Sequence, residues 1–511
     1  MKKMISMLAV AIVATAGNTY AQYVNDALRF SQTNYGSTAR FKAMGGAQIG
    51  VGGDMSSLGG NPAGLGLFTK SEFSLTPEFN LNNVKASYLG ENTNTNKSKL
   101  NLNQVGAVFY SPVYRQSGQD TKKGLVSAVF GIGYNRTNDY TMESNYGGTN
   151  GSNSITDYFA ELGGSTTPNN LTVGSLERMA YDNYLITRDN AANNYFSETF
   201  VNSAANQFNN QFKNEIRSGS VSEFNFSGAL NISNSVYLGA TIGLIDLRYN
   251  SDAQFRETGT AREYVPNPAI PGESMLSGNN SPYDLTFNQS QETRGSGVNG
   301  RLGIIVRPVG DLRIGATLQT PTWFVVEDRY SEGLDNRGTA RGTNQNETYD
   351  FTYNLRTPLK GSFGASYIIA GQGIISADID YVDYASIKIS SNDGVGNATL
   401  FRENNAEIRD RFQGAINYRI GGEYKIENLS LRAGYAVNGS PYKNDDDGKF
   451  DVKTISAGLG YRVNNYSIDL AYQRVNTDLI TSPYTLNNFN EPVANVKNNM
   501  NNVFLTLGLR F

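Results

Sequence analysis

The chain of 511 residues contains no cysteine and no histidine. Without cysteine no disulfide can hold an exported fold, so stability must come from backbone pairing and packing. Without histidine, hydrolysis by a Ser-His-Asp triad, His-ligated zinc and His-ligated haem are excluded together, leaving only less common ligand sets. The expectation is a protein that is not an enzyme, with no cofactor and no metal site. The net charge of −3 is small for this length and supplies no basic footprint for nucleic acid. Beyond the first residues there is no uninterrupted apolar run of the roughly 20 residues that a membrane helix requires. The mean hydropathy of −0.41 would by itself describe a soluble protein, but a β-barrel escapes that test because only alternate residues meet lipid.

What the chain has is alternation. In Asn502-Val-Phe-Leu-Thr-Leu-Gly-Leu-Arg-Phe511, Val503, Leu505, Leu507, Leu509 and Phe511 share one strand face, and Phe504, Thr506, Gly508 and Arg510 share the other. One wholly apolar face opposite a small or charged one suits a strand between lipid and a polar lumen. The pattern recurs at 429–437 and at 466–473. At the other end, Lys2 and Lys3, an apolar run from Met4 to Ala16 and a cut after Ala21 resemble a secretory signal, residues 1–21. An exported barrel implies the outer membrane of a Gram-negative cell, with that membrane's lipids around it.

Strand-like stretches fall near 69–81, 99–111, 123–139, 219–232, 234–250, 293–308, 311–328, 349–369, 372–389, 410–427, 428–437, 451–463, 465–475 and 502–511. They make about fourteen, an even number, as single-chain bacterial barrels require. The fold expected is all-β, a transmembrane antiparallel β-barrel over 69–511. Short links at Ser233-Asn234, Val309-Gly310, Gly371, Asn428 and Asn464-Asn465 alternate with long polar ones, which places both termini in the periplasm. Tyr134, Tyr140, Tyr249, Trp323, Phe324, Tyr381, Tyr384 and Tyr472 fall at the outer strand ends, where an interfacial girdle is expected. Arg301, Arg307, Arg313, Asp378, Asp380, Arg419, Glu423, Arg432, Arg462, Asp469 and Arg510 point inward, either as a ladder paired across strands or as the lining of a solute path.

Residues 22–68 do not alternate. They run through Ala39-Arg-Phe-Lys-Ala-Met-Gly-Gly-Ala47, Gly52-Gly-Asp-Met-Ser-Ser-Leu-Gly-Gly60 and Asn61-Pro62-Ala63-Gly64-Leu65-Gly66. This succession, ending immediately before the first strand, resembles the outer-membrane fatty-acid transporter family, the FadL-type channels that include aromatic-hydrocarbon importers. The resemblance implies that 22–68 is a hatch plugging the lumen, with Gly45, Gly46, Asn61, Pro62 and Ala63 as its motif residues. Irregular backbone at membrane depth needs such a protein-lined setting. No strand precedes these glycines and no Gly-Lys-Ser or Gly-Lys-Thr follows them, so a phosphate-cradling loop is not the reading.

The longest outer loop, 140–218, carries Phe200, Ala204, Phe208, Phe212 and Ile216 at a spacing of four, a helical stripe, and Leu176, Met179 and Ala180 suggest a second helix. Such helices either pack on each other or, as the resemblance implies, form an apolar groove that captures substrate, with Leu176, Met179, Phe200, Phe208 and Phe212 as candidates. The family also carries a lateral opening at its third strand, where Gly131 and Gly133 stand here; Pro358 with Gly361 interrupts another strand equally well. The acidic run at 444–449 lacks the spacing of an EF-hand and is expected to be solvated. The expectation is a monomeric channel for passive uptake of hydrophobic small molecules, fatty acids or aromatic hydrocarbons. Phe511 is the end presented to barrel-insertion machinery. The alternative is a binding, adhesion or haem-related receptor barrel.

Overall fold

The computed structural model describes residues 19–32, 34–116, 120, 122–269, 274–337, 344–392, 398–445 and 447–511; most of the expected signal segment 1–21 lies outside them. One antiparallel sheet of 18 segments closes on itself, and a two-segment hairpin lies apart. In chain order the strands are β1 (Glu72–Tyr88), β2 (Glu91–Pro112), β3 (Leu125–Asp139), β4 (Met142–Asn150), the separate hairpin β5 (Ile186–Asp189) and β6 (Asn194–Ser197), β7 (Asn209–Ile232), β8 (Val236–Pro266), β9 (Ser274–Val309) and β10 (Leu312–Gln319). They continue with β11 (Trp323–Arg337), β12 (Asn344–Arg356), β13 (Lys360–Ile369), β14 (Gly373–Asp383), β15 (Lys388–Ser391), β16 (Gly414–Ile426), β17 (Leu429–Asn438), β18 (Val452–Val463), β19 (Tyr466–Thr481) and β20 (Ala494–Arg510). β3 with β4, β10 with β11, β12 with β13 and β14 with β15 each occupy one place in the wall, which leaves fourteen places. The ring closes where β1 meets β20, from Glu72↔Arg510 to Ser87↔Asn495.

The outward faces define the lipid belt. On β8, Leu238, Ile242 and Leu244 are exposed, and the next two outward residues are Asp246 and Arg248; on β11, Trp323 and Val325 give way to Glu327 and Arg329. Charge therefore marks the outer edge of the belt. The strands do not stop there. β9 has 36 residues, which at about 3.3 Å each run to roughly 120 Å, where about ten residues would cross the bilayer. What sequence alone suggests as long polar loops is largely strand. The first outer link is only Leu89-Gly90, both at positive φ, a two-residue hairpin turn. The expected loop 140–218 likewise shrinks to 151–208, since β4 and the start of β7 take its two ends.

Three neighbouring wall places break at one level. Pro321 separates β10 from β11, Pro358 separates β12 from β13, and Tyr384–Ser386 forms a single 3-10 turn between β14 and β15. Proline cannot donate to a ladder. Thr322 and Thr357 repair the break: Thr322 N donates to Thr357 Oγ1 at 2.8 Å, and Thr357 N donates to Thr322 O at 3.0 Å. Pro358 thus bends a wall that stays bonded and opens no gate.

The aromatic girdle is half of what the sequence suggests. Tyr134, Trp323, Tyr381 and Tyr472 face outward, but Tyr249, Phe324 and Tyr384 are buried in the lumen with Tyr140 packed against them. The reason is parity. From the outer part of the lipid belt upward the lumen is itself apolar, so an aromatic gives no sign of which face it occupies. These inward rings pack with Val24, Ala27, Leu28 and Phe30 of α1 (Thr19–Ser31) and with Ile408 and Phe412 at α5 (Ala398–Arg411).

Candidate functional site

Residues 34–68 lie across the lumen, built from α2 (Ala39–Ala43) and two 3-10 turns, Met55–Leu58 and Pro62–Leu67. Proline at the start of the second turn gives up an N–H that would have no partner there, and the Asn61 side chain caps it by accepting from Ala63 N. Asn61 Nδ2 donates to Ile49 O at 2.8 Å and to Ile304 O of the wall at 3.2 Å. Gly45 and Gly46 have φ of 66° and 81°, a region that glycine enters without penalty. Gly45 N donates to Ser456 Oγ on β18 at 3.0 Å, Gly46 lies beside Arg419, and Ala63 is fully buried.

The wall is recessed at several places where this segment touches it. A Cβ on Gly131 or on Gly133 would stand 2.6 Å from a methyl group of Leu58, and one on Gly106 would stand 3.0 Å away. Both Gly131 and Gly133 are paired on either side, to β2 and to β7. They form the notch that receives Leu58, not the lateral gate that sequence alone offers. Similarly, Gly315 meets Ile49, Gly239 meets Pro62 and Gly434 meets the Met44–Gly45 peptide, each with a Cβ position under 2.5 Å from backbone. No side chain but hydrogen fits at these contacts.

The inward charges anchor the same segment as well as pairing across strands. Asp378 Oδ2 accepts from Gln48 N at 2.6 Å and from Ile49 N at 2.9 Å. Arg40 grips Glu423 through two bonds of 2.9 and 3.0 Å, and Arg432 joins Glu423 to Asp469, each at 2.6 Å. Arg313 Nη1 donates to Val51 O at 2.6 Å. A purely cross-strand pair is Arg301 with Glu223, bidentate at 2.6 and 2.7 Å.

Above the plug lie two adjoining cavities. The upper, about 290 Å³, is walled by Leu28, Tyr140, Met142, Tyr249, Tyr442, Leu479, Val496 and Met500, with Arg29, Arg217 and Arg411 at its edge. Its size lies at the lower end for small-molecule pockets. Arg29 stands 4.4 Å over the Tyr249 ring and pairs with Asp26; burial lifts the Asp26 carboxyl above its ordinary range while Arg29 and Gln291 oppose the rise. The lower cavity, about 120 Å³, is polar, lined by Lys42, Glu78, Asn80, Asn103, Arg136 and Arg419 among others. Asn138, Asp139 and Met500 border both.

Beside the lower cavity the wall is open. β2 pairs with β3 from Pro112↔Ser127 only as far as Gln104↔Asn135, whereas β2 pairs with β1 all the way to Glu91↔Tyr88. From Asn135 onward the third wall strand leaves β2. Its register against β7 slips between Arg136 and Asn138, and β4 runs inside the ring so that Met142 and Tyr146 pack on Val84, Tyr88 and Val496. Side chains alone cross the seam: Asn101 Nδ2 donates to Asp139 Oδ2 at 2.8 Å, Lys99 Nζ to Thr141 Oγ1 at 3.4 Å, and Lys97 meets Glu143 at 3.5 Å.

The expected helical stripe at 200–216 is not a helix. From Asn209 the chain is β7, and a spacing of four also keeps residues on one face of a strand. Phe208, Phe212 and Ile216 point outward, above the lipid belt, while Phe200 is half-buried with Arg262 6.0 Å from its ring. None of them lines either cavity. Leu176 and Met179 do lie on a helix, α4 (Leu176–Asp182), and pack with α3 (Ile155–Gly163) and the inward faces of β8, β9 and β11. They are the core of a lid, not a groove. α3 is fixed from below by Glu257 of β8, which accepts from Ile155 N at 3.2 Å, from Tyr283 Oη at 2.7 Å and from Ser154 Oγ. The α1 residues that line the chamber, Asn25, Leu28 and Arg29, escaped the sequence reading, although the apolar spacing of Tyr23, Val24, Ala27, Leu28 and Phe30 is a signal that finds the helix; the seam had no signal short of the pairing itself.

A family model described as outer membrane protein transport protein (OMPP1/FadL/TodX) matches residues 193–504. Among solved structures, a deltaS2 mutant of the TodX monoaromatic hydrocarbon channel is 14% identical, covers 93% of this chain and 99% of its own, and has a TM-score of 0.51. A TodX deltaS2S3 mutant is 14% identical over 94% and 100%, with a TM-score of 0.50. At such identity the likeness speaks for the fold. No curated relative matches the sequence.

Proposed function

The chain belongs to the outer membrane protein transport family that includes FadL and TodX, and on that premise we propose that it is a monomeric, passive channel for amphipathic hydrophobic molecules with an anionic head, of the fatty-acid kind. The family makes it a transport protein of the outer membrane for hydrophobic compounds. The observation that carries the finer reading is the order of the two cavities and the seam. An apolar chamber edged by Arg29, Arg217 and Arg411 adjoins a polar cavity, which lies beside the stretch of wall where β2, still paired with β1, has no backbone partner on its other side.

A solute enters beneath the lid of α3 and α4 and rests its apolar part against Leu28, Met142, Leu479 and Val496. Transfer of apolar area from water drives this step at roughly 25 cal/mol per Å². The polar cavity and the seam then pass the head group, and the tail follows sideways into lipid. The segment 22–68 acts as the hatch that blocks the straight route. A plug fastened around the ring favours transport over the adhesion or haem-receptor alternative, for which an empty barrel is the simpler design. Arg29, Arg217 and Arg411 already pair with Asp26, Glu215 and Glu407, so the anionic-head reading rests on guanidinium groups carrying more donors than one carboxylate takes up.

The test is binding of dodecanoate, dodecanol and toluene to protein in uncharged detergent, with mass spectrometry of co-purified molecules. Dodecanoate is expected to bind at least tenfold more tightly than dodecanol, and Leu479→Trp, which narrows the chamber, to weaken both. Equal affinity for acid, alcohol and toluene would defeat the anionic-head reading and leave a general apolar channel.

A further inference from the structure

A third cavity lies on the other side of the plug, at the short-turn end of the barrel. It measures about 420 Å³ and is lined by residues of the turns themselves, Gly371, Gln372, Glu427 and Asn428, together with Arg40 of the plug. Its cations are Arg40, Arg313, Lys425, Arg432, Arg462 and Arg510; its carboxylates are only Glu423, Glu427 and Asp469. Glu423 already serves Arg40, Arg432 and Lys425, and Asp469 serves Arg432. Arg510 turns to Glu72 at 2.7 Å. Among the described residues, Arg313 and Arg462 make no ion pair. Arg313 also keeps a buried Nε without a hydrogen-bond acceptor, although its Nη1 reaches Val51 O.

We infer that this mouth is a binding site for an oxyanion, a phosphate or a carboxylate, held between the wall and the plug. A concave surface with cations in excess and low-dielectric walls concentrates its field on the space it encloses. A buried donor without an acceptor is costly, and the guanidinium fork of Arg313 matches two oxygens of one carboxylate or phosphate. Arg462, without a carboxylate of its own, supplies the second unneutralised charge. Because Arg40 belongs to the plug and Arg313 and Arg462 to the wall, an occupant touches both. Binding to the seated plug alone then stabilises that seating in proportion to occupancy.

The test uses the full protein in uncharged detergent, titrated calorimetrically with inorganic phosphate and with octanoate, and a third arm adds phosphatidylglycerol to the micelles. Arg462→Gln and Lys425→Gln, both exposed side chains that do not hold the plug, are each expected to weaken binding of at least one probe threefold or more. Lys453→Gln, at the opposite end, leaves it unchanged. The arm that responds identifies the source: free anion, released amphiphile or lipid head group. Heat-modifiable migration of each variant establishes that the barrel is folded. Absence of binding in all three arms, or binding indifferent to Arg462, overturns the assignment. Neither result bears on the chamber above the plug.

Discussion

Leu58 is the sharpest contact between plug and wall. Its side chain is fully buried against Met55, Leu65, Phe68, Val108 and Val129, over the floor made by Gly106, Gly131 and Gly133. Leu58→Ala removes that packing and leaves a cavity in a wall that cannot collapse, because the recess is backbone. Buried Leu→Ala changes cost about 2–5 kcal/mol, and the cost falls on the seated plug alone. At about 1.4 kcal/mol per factor of ten, the unseated population rises roughly 30-fold to a few thousand-fold. The chain has no cysteine, so a single Ser57→Cys change gives an unambiguous reporter at a site only 4% exposed. Where unseating is fast and labelling slow, modification by a charged maleimide follows the unseated population. The expected result is an increase of at least 30-fold in the labelling rate on adding Leu58→Ala, with barrel migration on gels unchanged. Gly133→Ala should also raise the rate, since its Cβ meets Leu58, and the two together should fall below the product of their separate effects because the new methyl fills part of the cavity. A labelling rate in Leu58→Ala within threefold of the parent would refute the notch as the plug's fastening.

Cross-linking cysteines placed at Asn101 and Asp139, which already touch across the seam, should abolish uptake of an apolar tracer by intact cells and restore it on reduction; uptake indifferent to the cross-link would rule out the sideways route. Replacing both Phe208 and Phe212 by Ser should leave uptake within about twofold, because both point away from the cavities; a selective loss of apolar-tracer uptake would return them to the capture path. Deleting Phe511, outward-facing at the end of the closing strand and bonded through its N–H to Ser71 O at 3.0 Å, should lower surface levels several-fold, measured by outer-membrane fractionation, and normal levels would remove it as the assembly signal.

The barrel was legible because lipid on one side forces a period of two, and β20 shows it without exception: Val503, Leu505, Leu507 and Leu509 out, Phe504 and Thr506 in. Legibility failed where that contrast fades. From the outer part of the belt upward, Tyr249 and Phe324 face an apolar lumen, and higher still Phe208 and Phe212 face water, so the pattern inverts. The period-four stripe at 200–216 misled because strand and helix both place such residues on one face. Strand lengths were missed for a related reason: stretches such as 91–98 and 277–282 are polar on both sides and resemble loops. In the plug, the glycines were conspicuous. Their complements on the wall, Gly131 and Gly133 among them, were taken for a point of weakness because a close approach by a residue more than 70 positions earlier leaves no trace in local sequence.

The way the ring is closed has a consequence for how the molecule is made. β1 is hydrogen-bonded to β20, joining residues 72–87 to residues 495–510, so the ladder that closes the ring joins partners more than 400 residues apart and needs both strands in place. Loop closure over such a distance is slow. The plug precedes β1, and a Cβ added to the facing glycines of β8, β10 and β17 would stand under 2.5 Å from plug backbone, fits too close for the plug to be threaded through a finished ring. Such fits imply that the sheet is wrapped around the plug as the ring closes, so that closing the barrel and seating the plug would be one event.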